Sequence, residues 1–248
     1  MLRSRIAPCL LMERGDLINT RKFQPWKYVG DPVNAVKIFN EKQVDELILL
    51  DVEASISGRS PDFDLLAEIS AESRMPLCYG GGIKDVATAA RLTSMGFEKI
   101  SLSSAALERP ALVREVAQEI GRQSVCVTLD VNKDLFGGYR LYTHRGKKAH
   151  KMSLKDALTA FGEVAGEIVI NAIHRDGTME GYDLDLAAQV RKATGGPLTF
   201  VGGAGSVDHF AALIDQVGTC GAAAGTFFVF NGKYHAVLLS YCRPEAAA

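Results

Sequence analysis

Residues 75–85 read MPLCYGGGIKD, and 121 positions later residues 196–206 read GPLTFVGGAGS. Each stretch runs from an apolar, strand-like segment through paired glycines to an Asp or Ser suited to start a helix. The same spacing aligns DFDLLAEI, from Asp62, with DLDLAAQV, from Asp183. A repeat of half the chain speaks to architecture before it speaks to activity. It predicts one domain over residues 1–248 built of two related halves, roughly 1–121 and 122–248.

Outward from those stretches, short apolar runs recur at 6–11, 47–52, 76–79, 100–103, 125–130, 168–172, 198–201 and 221–224. Helix signals fill the intervals. Asp31-Pro32 offers an N-cap and a first-turn proline. VATAARLTSM follows Asp85 and stops at Gly96, and VDHFAALIDQV follows Ser206 and stops at Gly218. Eight strand–helix units in 248 residues predict an α/β fold, a (β/α)8 TIM barrel with a two-fold half-barrel repeat. The glycine loops lack the full dinucleotide fingerprint, which argues against an open doubly wound sheet.

Composition narrows the function classes. At 47% hydrophobic and 23% charged, the chain can bury a sizeable core. A net charge of −1 provides no field for nucleic acid or an acidic membrane surface. Cys9, Cys78, Cys126, Cys220 and Cys242 are scattered without paired spacing, so they read as reduced thiols and not as a zinc site. No secretory segment and no apolar run of about 18 residues is visible. The expectation is a cytoplasmic protein with no cofactor, no metal and no membrane or nucleic-acid partner.

In such a barrel the chemistry sits at the C-terminal mouth, where glycine lets backbone N–H groups approach phosphate. Gly81-Gly82 and Gly202-Gly203 follow the third and seventh strands, and Ser103-Ser104 and Ala224-Gly225 follow the fourth and eighth at the same 121-residue spacing. GTFFVFNG after the eighth strand can add a short helix there. HRDGTMEGYD brings Asp176, Gly177 and Thr178 in a third glycine-rich loop. One such loop would read as a tight turn; two related ones point to a small molecule bearing two phosphates or to a degenerate relic of such a site. Asp130 closes the fifth run and reads as a general acid or base, or as a loop cap. Residues 13–31 mix Arg21, Lys22 and Lys27 with Phe23, Trp26 and Tyr28, which suits either a ligand or partner contact or a lid packed on the barrel.

The stretches GDPVNAVKIFNEKQVDELILLDVEAS, YGGGI, LDVNKD, YTHRGKK, HRDGTMEGYDLDL and VGGAGS together resemble the cyclase subunit of imidazole glycerol phosphate synthase over nearly the whole chain. The sister isomerase of histidine biosynthesis fits the loop lengths less well. The resemblance implies that ammonia from a glutaminase partner of the HisH type enters the barrel bottom and meets a bisphosphorylated ribonucleotide at the top. It also implies two acids, at the ends of the first and fifth strands. Asp130 matches the second of these, but Leu11 stands in place of the first. Asn19 replaces a lysine, Ser103 an asparagine, His174 an aspartate, Val201 a serine and Gly225 a serine. His174 reads as a new base or, more simply, as a residue bonded into its own loop.

The opposite end keeps the pattern. The family's charged ring at the ammonia entrance maps onto Arg5, Glu46, Lys99 and Glu167, each at the start of a strand. Without the resemblance, such charges read as solvated strand ends. Period-two alternation places Arg5 with Leu11, Lys99 with Ser103 and Glu167 with Asn171 on common faces, whereas Glu46 is in step with Leu50 and out of step with Asp51. CLLMERGDLINTRKF and WKYVGDPVNAV further resemble a paralogous branch that accompanies a glutaminase and a sugar amidotransferase making acetamidino sugars for surface polysaccharides. The leading expectation is therefore an ammonia-receiving subunit serving amidination of a nucleotide sugar. The alternatives are an active cyclase (a lyase of histidine biosynthesis) and a non-catalytic activator of a glutaminase.

Overall fold

Alternation along the first apolar run divides its side chains between two cores. Ile6, Leu10 and Met12 point outward into the layer beneath the helices. Ala7 and Cys9 point inward and pack with Ile48, Cys78, Cys126, Val169 and Ala223, with Leu11, Leu50 and Val201 against them. That two-sided burial is what a parallel strand inside a shell of helices requires.

The structure, a computed structural model, describes residues 3–134 and 137–244, with the side chains of Pro25 and Trp26 left undescribed. Eight strands carry the barrel: β1 (Arg5–Glu13), β2 (Leu47–Asp51), β3 (Leu77–Gly80), β4 (Lys99–Leu102), β5 (Val125–Lys133), β6 (Glu167–Ala172), β7 (Leu198–Val201) and β8 (Gly221–Ala224). Neighbours pair in parallel all the way round, and β1 pairs with both β2 and β8, so the sheet closes. The predicted (β/α)8 barrel is thus the observed fold.

Seven outer helices are α1 (Pro32–Glu41), α2 (Phe63–Glu72), α3 (Val86–Ser94), α4 (Pro110–Ile120), α5 (Leu154–Gly162), α6 (Leu184–Ala193) and α7 (Val207–Val217). The repeated aspartates cap equivalent helices. Asp62 accepts from the Leu65 N–H at 3.2 Å at the start of α2, and Asp183 accepts from the Leu186 N–H at 3.0 Å at the start of α6. Ser206 is also an N-cap, of α7, but its side chain makes no capping bond.

Two departures from the expected pattern matter for the mouth. The eighth unit has no full outer helix: a four-residue helix, Thr226–Val229, leads into a hairpin of Phe230–Asn231 with Ala236–Val237. Asn231-Gly232, with Gly232 at φ +69°, turns the chain back before a second helical turn can form. The fifth run does not end at Asp130; β5 continues to Lys133 and pairs with an added strand, Tyr139–Thr143. A second added hairpin, Asp16–Arg21 with Gln24–Gly30, extends from β1. Among the described residues no helix is long and apolar enough to cross a membrane.

Asp183 does more than its counterpart. Tyr139 Oη donates to it at 3.0 Å, His174 Nε2 at 2.8 Å, and Lys133 Nζ lies 3.2 Å away. Burial opposes its charge, but His174, the Leu186 N–H, Lys133 and Tyr139 outweigh that and hold the carboxyl well below the usual carboxylate range. We therefore expect Asp62→Ala to destabilise by about 1 kcal/mol, the loss of one cap. Asp183→Ala should destabilise by more, about 2 kcal/mol, because it also removes the shared acceptor of the half-buried His174 and Tyr139. A depressed folded-state pKa contributes stability above the unfolded value, about 3.9, and loses it below. Urea unfolding at pH 7 should separate the two variants, and the gap should narrow as the pH falls below 4.

Candidate functional site

The barrel's lower end is closed by charge. Lys99 Nζ lies 2.8 Å from Glu46 and 2.8 Å from Glu167, and Arg5 pairs with Glu167 and, at 3.3 Å, with Glu46. Each cation therefore touches both acids, and Thr199 adds a hydroxyl donor to Glu167. Glu46 and Glu167 are each 5% exposed. Burial works against all of these charges, yet it is outweighed: the two glutamates raise the Lys99 pKa, and Lys99 with Arg5 lowers that of Glu167. The four sequence-predicted residues thus meet as one ring; they are not separately solvated strand ends.

Above the ring stand the inward side chains Ala7, Cys9, Ile48, Cys78, Cys126, Val169 and Ala223. Cys9, Cys78, Cys126 and Cys220 are buried free thiols, and Cys242 is exposed. A buried Ser101–Thr128 hydroxyl pair, 2.6 Å apart, lies in the next layer toward the mouth.

The mouth opens into a cavity with about 1180 Å³ of space between atoms, its open side included. Leu11, Gly81, Ser103, Ser104, Asp130, Asp176, Gly177, Gly202, Gly203, Ala224 and Gly225 all contribute to its wall. Gly82 and Thr178 stand behind the wall. The cradle glycines are dictated by close backbone approach: a Cβ on Gly81 would lie 2.5 Å from the Asp51 carbonyl oxygen, and one on Gly203 only 2.1 Å from that of Gly181.

Asp130 is 8% exposed. Its two oxygens accept from Asn171 Nδ2 at 3.0 Å and from Ser103 Oγ at 3.4 Å. Burial, which those two bonds only partly offset, pushes its carboxyl up to about 7. A group titrating there can give or take a proton at neutral pH. Leu11 lines the same cavity and offers nothing to transfer. Asp51 lines the cavity too, although it is out of step with Glu46, and its carboxylate accepts from the Glu53 and Ala54 N–H groups and from Arg59.

Asp176 lines the cavity and also has partners within the protein. It accepts from Thr20 Oγ1 at 2.6 Å and from the Phe23 N–H at 2.9 Å, and a Cβ on Gly177 would lie 2.3 Å from the Thr20 carbonyl oxygen. These two residues clamp the hairpin after β1 onto the mouth. Within that hairpin Phe23 reaches the cavity, Lys27 donates to the His235 carbonyl at 2.6 Å, Tyr28 is exposed, and the Trp26 side chain lies outside the described residues. Asn19 is buried, its amide paired with Thr226 at 3.2 Å. His174 is bonded to Asp183 behind the wall, as the simpler reading holds. Sequence reasoning missed Arg145, which lines the cavity from the YTHRGKK turn, and the Asn171–Asp130 bond. The alternation placing Asn171 inward was the one available signal for the latter.

Fold and site together define a (β/α)8 barrel with a buried acid at one mouth and an ion-paired ring at the other end. The model of the histidine biosynthesis protein family matches residues 5–235, and the chain belongs to that family. It is 51% identical over 247 residues to a Vibrio vulnificus protein provisionally named imidazole glycerol phosphate synthase subunit hisF3, covering 99% of this chain and 95% of that one. A Pseudomonas aeruginosa protein, provisionally subunit hisF2, is 43% identical over 242 residues, 97% and 96% of the two chains. Imidazole glycerol phosphate synthase subunit HisF of Thermobifida fusca is 36% identical over 232 residues, 91% of each.

The raised pKa of Asp130 has a signed consequence. Its folded value lies above the unfolded one, so its contribution favours folding at low pH and is lost as the pH rises from about 4 to 7. Asp130→Asn should therefore be more stable than the parent chain at pH 8, and the difference should vanish near pH 4. The carboxyl band of Asp130, followed by infrared difference spectroscopy, should titrate near pH 7; a midpoint near 4 would contradict the buried environment.

Proposed function

We propose that this chain receives ammonia at the lower end of the barrel from a glutaminase subunit and supplies it for amidination of a nucleotide sugar in surface-polysaccharide synthesis. The single observation that carries the reading is the pairing of Leu11 with Asp130 in one cavity above an intact charged ring. Arg5, Glu46, Lys99 and Glu167 act as the gate, because a neutral molecule can pass where two cations and two anions already satisfy one another. The thiol and aliphatic column above it favours NH3 over ammonium, since an unpaired ion is costly to desolvate. At the mouth, two-carboxylate chemistry across Asp130 and residue 11 is absent. The glycine cradles at 81–82, 103–104, 202–203 and 224–225 hold a phosphorylated small molecule. The sugar and its pathway rest on the likeness of CLLMERGDLINTRKF and WKYVGDPVNAV to the paralogous branch.

The second reading is an active cyclase, and one observation favours it: Asp130 titrates near neutrality, as a general acid or base should. The names of the relatives point the same way. Purified protein given ammonia and the bisphosphorylated ribonucleotide distinguishes the two. The first reading expects no imidazole glycerol phosphate; turnover abolished by Asp130→Asn would establish the second.

The gate has its own test. Lys99→Met should reduce glutamine-dependent amidination by about tenfold or more while leaving amidination from free ammonium salts much less affected. It should also lower stability by about 3–5 kcal/mol, since Glu46 and Glu167 would share one cation. Unchanged glutamine-dependent activity would remove Lys99 from the gate. Amidination from free ammonia without this chain at all would leave it the role of glutaminase activator.

A further inference from the structure

The top cavity is short of positive charge. Among the described residues that line it, the acids are Asp51, Asp130 and Asp176, and Arg145 is the one basic side chain. The family resemblance puts a lysine for the ligand at position 19, but Asn19 is locked to Thr226 and cannot supply charge. Arg145 reaches the cavity from the turn after the strand that pairs with β5. His144 and Arg145 both adopt the left-handed region there, with φ +53° and +58°, a conformation that non-glycine residues hold only when their surroundings impose it. The His144 N–H donates to Ser104 Oγ at 3.0 Å, which pins the turn beside the Ser103-Ser104 cradle.

The Arg145 side chain is 11% exposed, and its guanidinium is only partly used. Nη1 donates to Glu13 at 2.7 Å and Nε to the Phe23 carbonyl at 3.2 Å, which ties this turn to the hairpin after β1 across the mouth. Nη2 is buried and has no hydrogen-bond acceptor among the described residues. A buried, charged donor left without an acceptor is rare enough to need a reason, and a bound anion is the partner a planar guanidinium fork fits best.

We infer that the Arg145 guanidinium supplies the cationic contact to an anionic phosphate group of the ligand in the top cavity, in place of the basic residue that position 19 lacks. This rests on the reading of the glycine loops as phosphate cradles. It makes Arg145 a specificity-determining residue, because it approaches from the added turn beside Ser104, whereas position 19 lies beside Thr226. A ligand placing its anion near the turn is favoured over one placing it near position 19.

Calorimetric titration with inorganic phosphate tests both layers on the intact chain. The parent protein should bind phosphate saturably, Arg145→Gln should weaken binding roughly tenfold or more, and Arg145→Lys should fall between, keeping charge but losing the fork. Glu13→Gln separates binding from latching: it removes the negative charge of the Nη1 partner and should leave phosphate affinity unchanged or raised. If Arg145 only held the two hairpins together, Glu13→Gln and Arg145→Gln would weaken binding alike, and the inference would be overturned. Equal affinity of the parent and Arg145→Gln would overturn it while leaving the cradles in place. No phosphate binding by the parent would overturn the cradle reading itself. Should Arg145→Gln fail to fold, Arg145→Lys and Glu13→Gln decide the same question.

Discussion

Two acids and two bases meet inside the lower end of the barrel, and none of the four would be tolerated there without the others. An isolated carboxylate with 5% exposure would shift its pKa or destabilise the fold. Here each cation lies within ion-pair distance of both acids, so the four charges close a cycle. That cycle needs strand starts from four different strands or strand approaches, β1, β2, β4 and β6, at one level. Only a closed parallel sheet brings them to a common axis, and the register that seats the ring also fixes which side chains face inward at every level above it. Starting from Arg5, the inward positions on β1 must be Ala7, Cys9 and Leu11. The ring at one end and the altered mouth at the other are therefore consequences of one alternation.

The parts legible in the sequence were those that this alternation and the repeat encode. The eight strands, the helix caps at Asp31, Asp62, Asp85 and Asp183, and the convergence of the glycine loops all follow from local pattern. What stayed hidden lay in the insertions. The run ending at Asp130 gave no hint that β5 continues to Lys133, because residues 131–133 are as plausible in a loop as in a hairpin. The short helix expected of GTFFVFNG after the eighth strand is Thr226–Val229, and Asn231-Gly232 is the turn signal that keeps the unit from adding a full outer helix. Asp176 sat in a loop that reads as a ligand contact; its bonds to Thr20 and Phe23 depend on a hairpin 150 residues away, which no local signal encodes.

Those added hairpins build the rim of the mouth. The hairpin after β1 is held by Asp176 and Gly177 from one side and by Arg145 from another. The added strand after β5 is anchored by Tyr139 to Asp183, the same aspartate that caps α6 and binds His174. His174 thus serves the scaffold of the mouth: it orders the carboxylate that holds a hairpin, at a position just outside the cavity wall.

Leu11 is more than a missing acid, because it changes the one that remains. A second carboxylate near Asp130 would raise its pKa through repulsion, the way paired acids do. Here a leucine lies in the same cavity, and the carboxyl is raised chiefly by desolvation, with Asp176 adding only a small repulsive contribution. Asp130 is therefore raised to the neutral range without a second acid at position 11. A pKa near 7 shows a carboxyl kept out of water; it does not by itself show one that turns over substrate. What separates a ring-closing site from an ammonia-receiving one is the number of groups able to move protons in the cavity. Asp51 is bonded to Arg59, Asp176 to its hairpin, and Leu11 is inert, so the proposed ammonia-receiving role asks of Asp130 at most a single proton transfer and not the two-acid chemistry of ring closure.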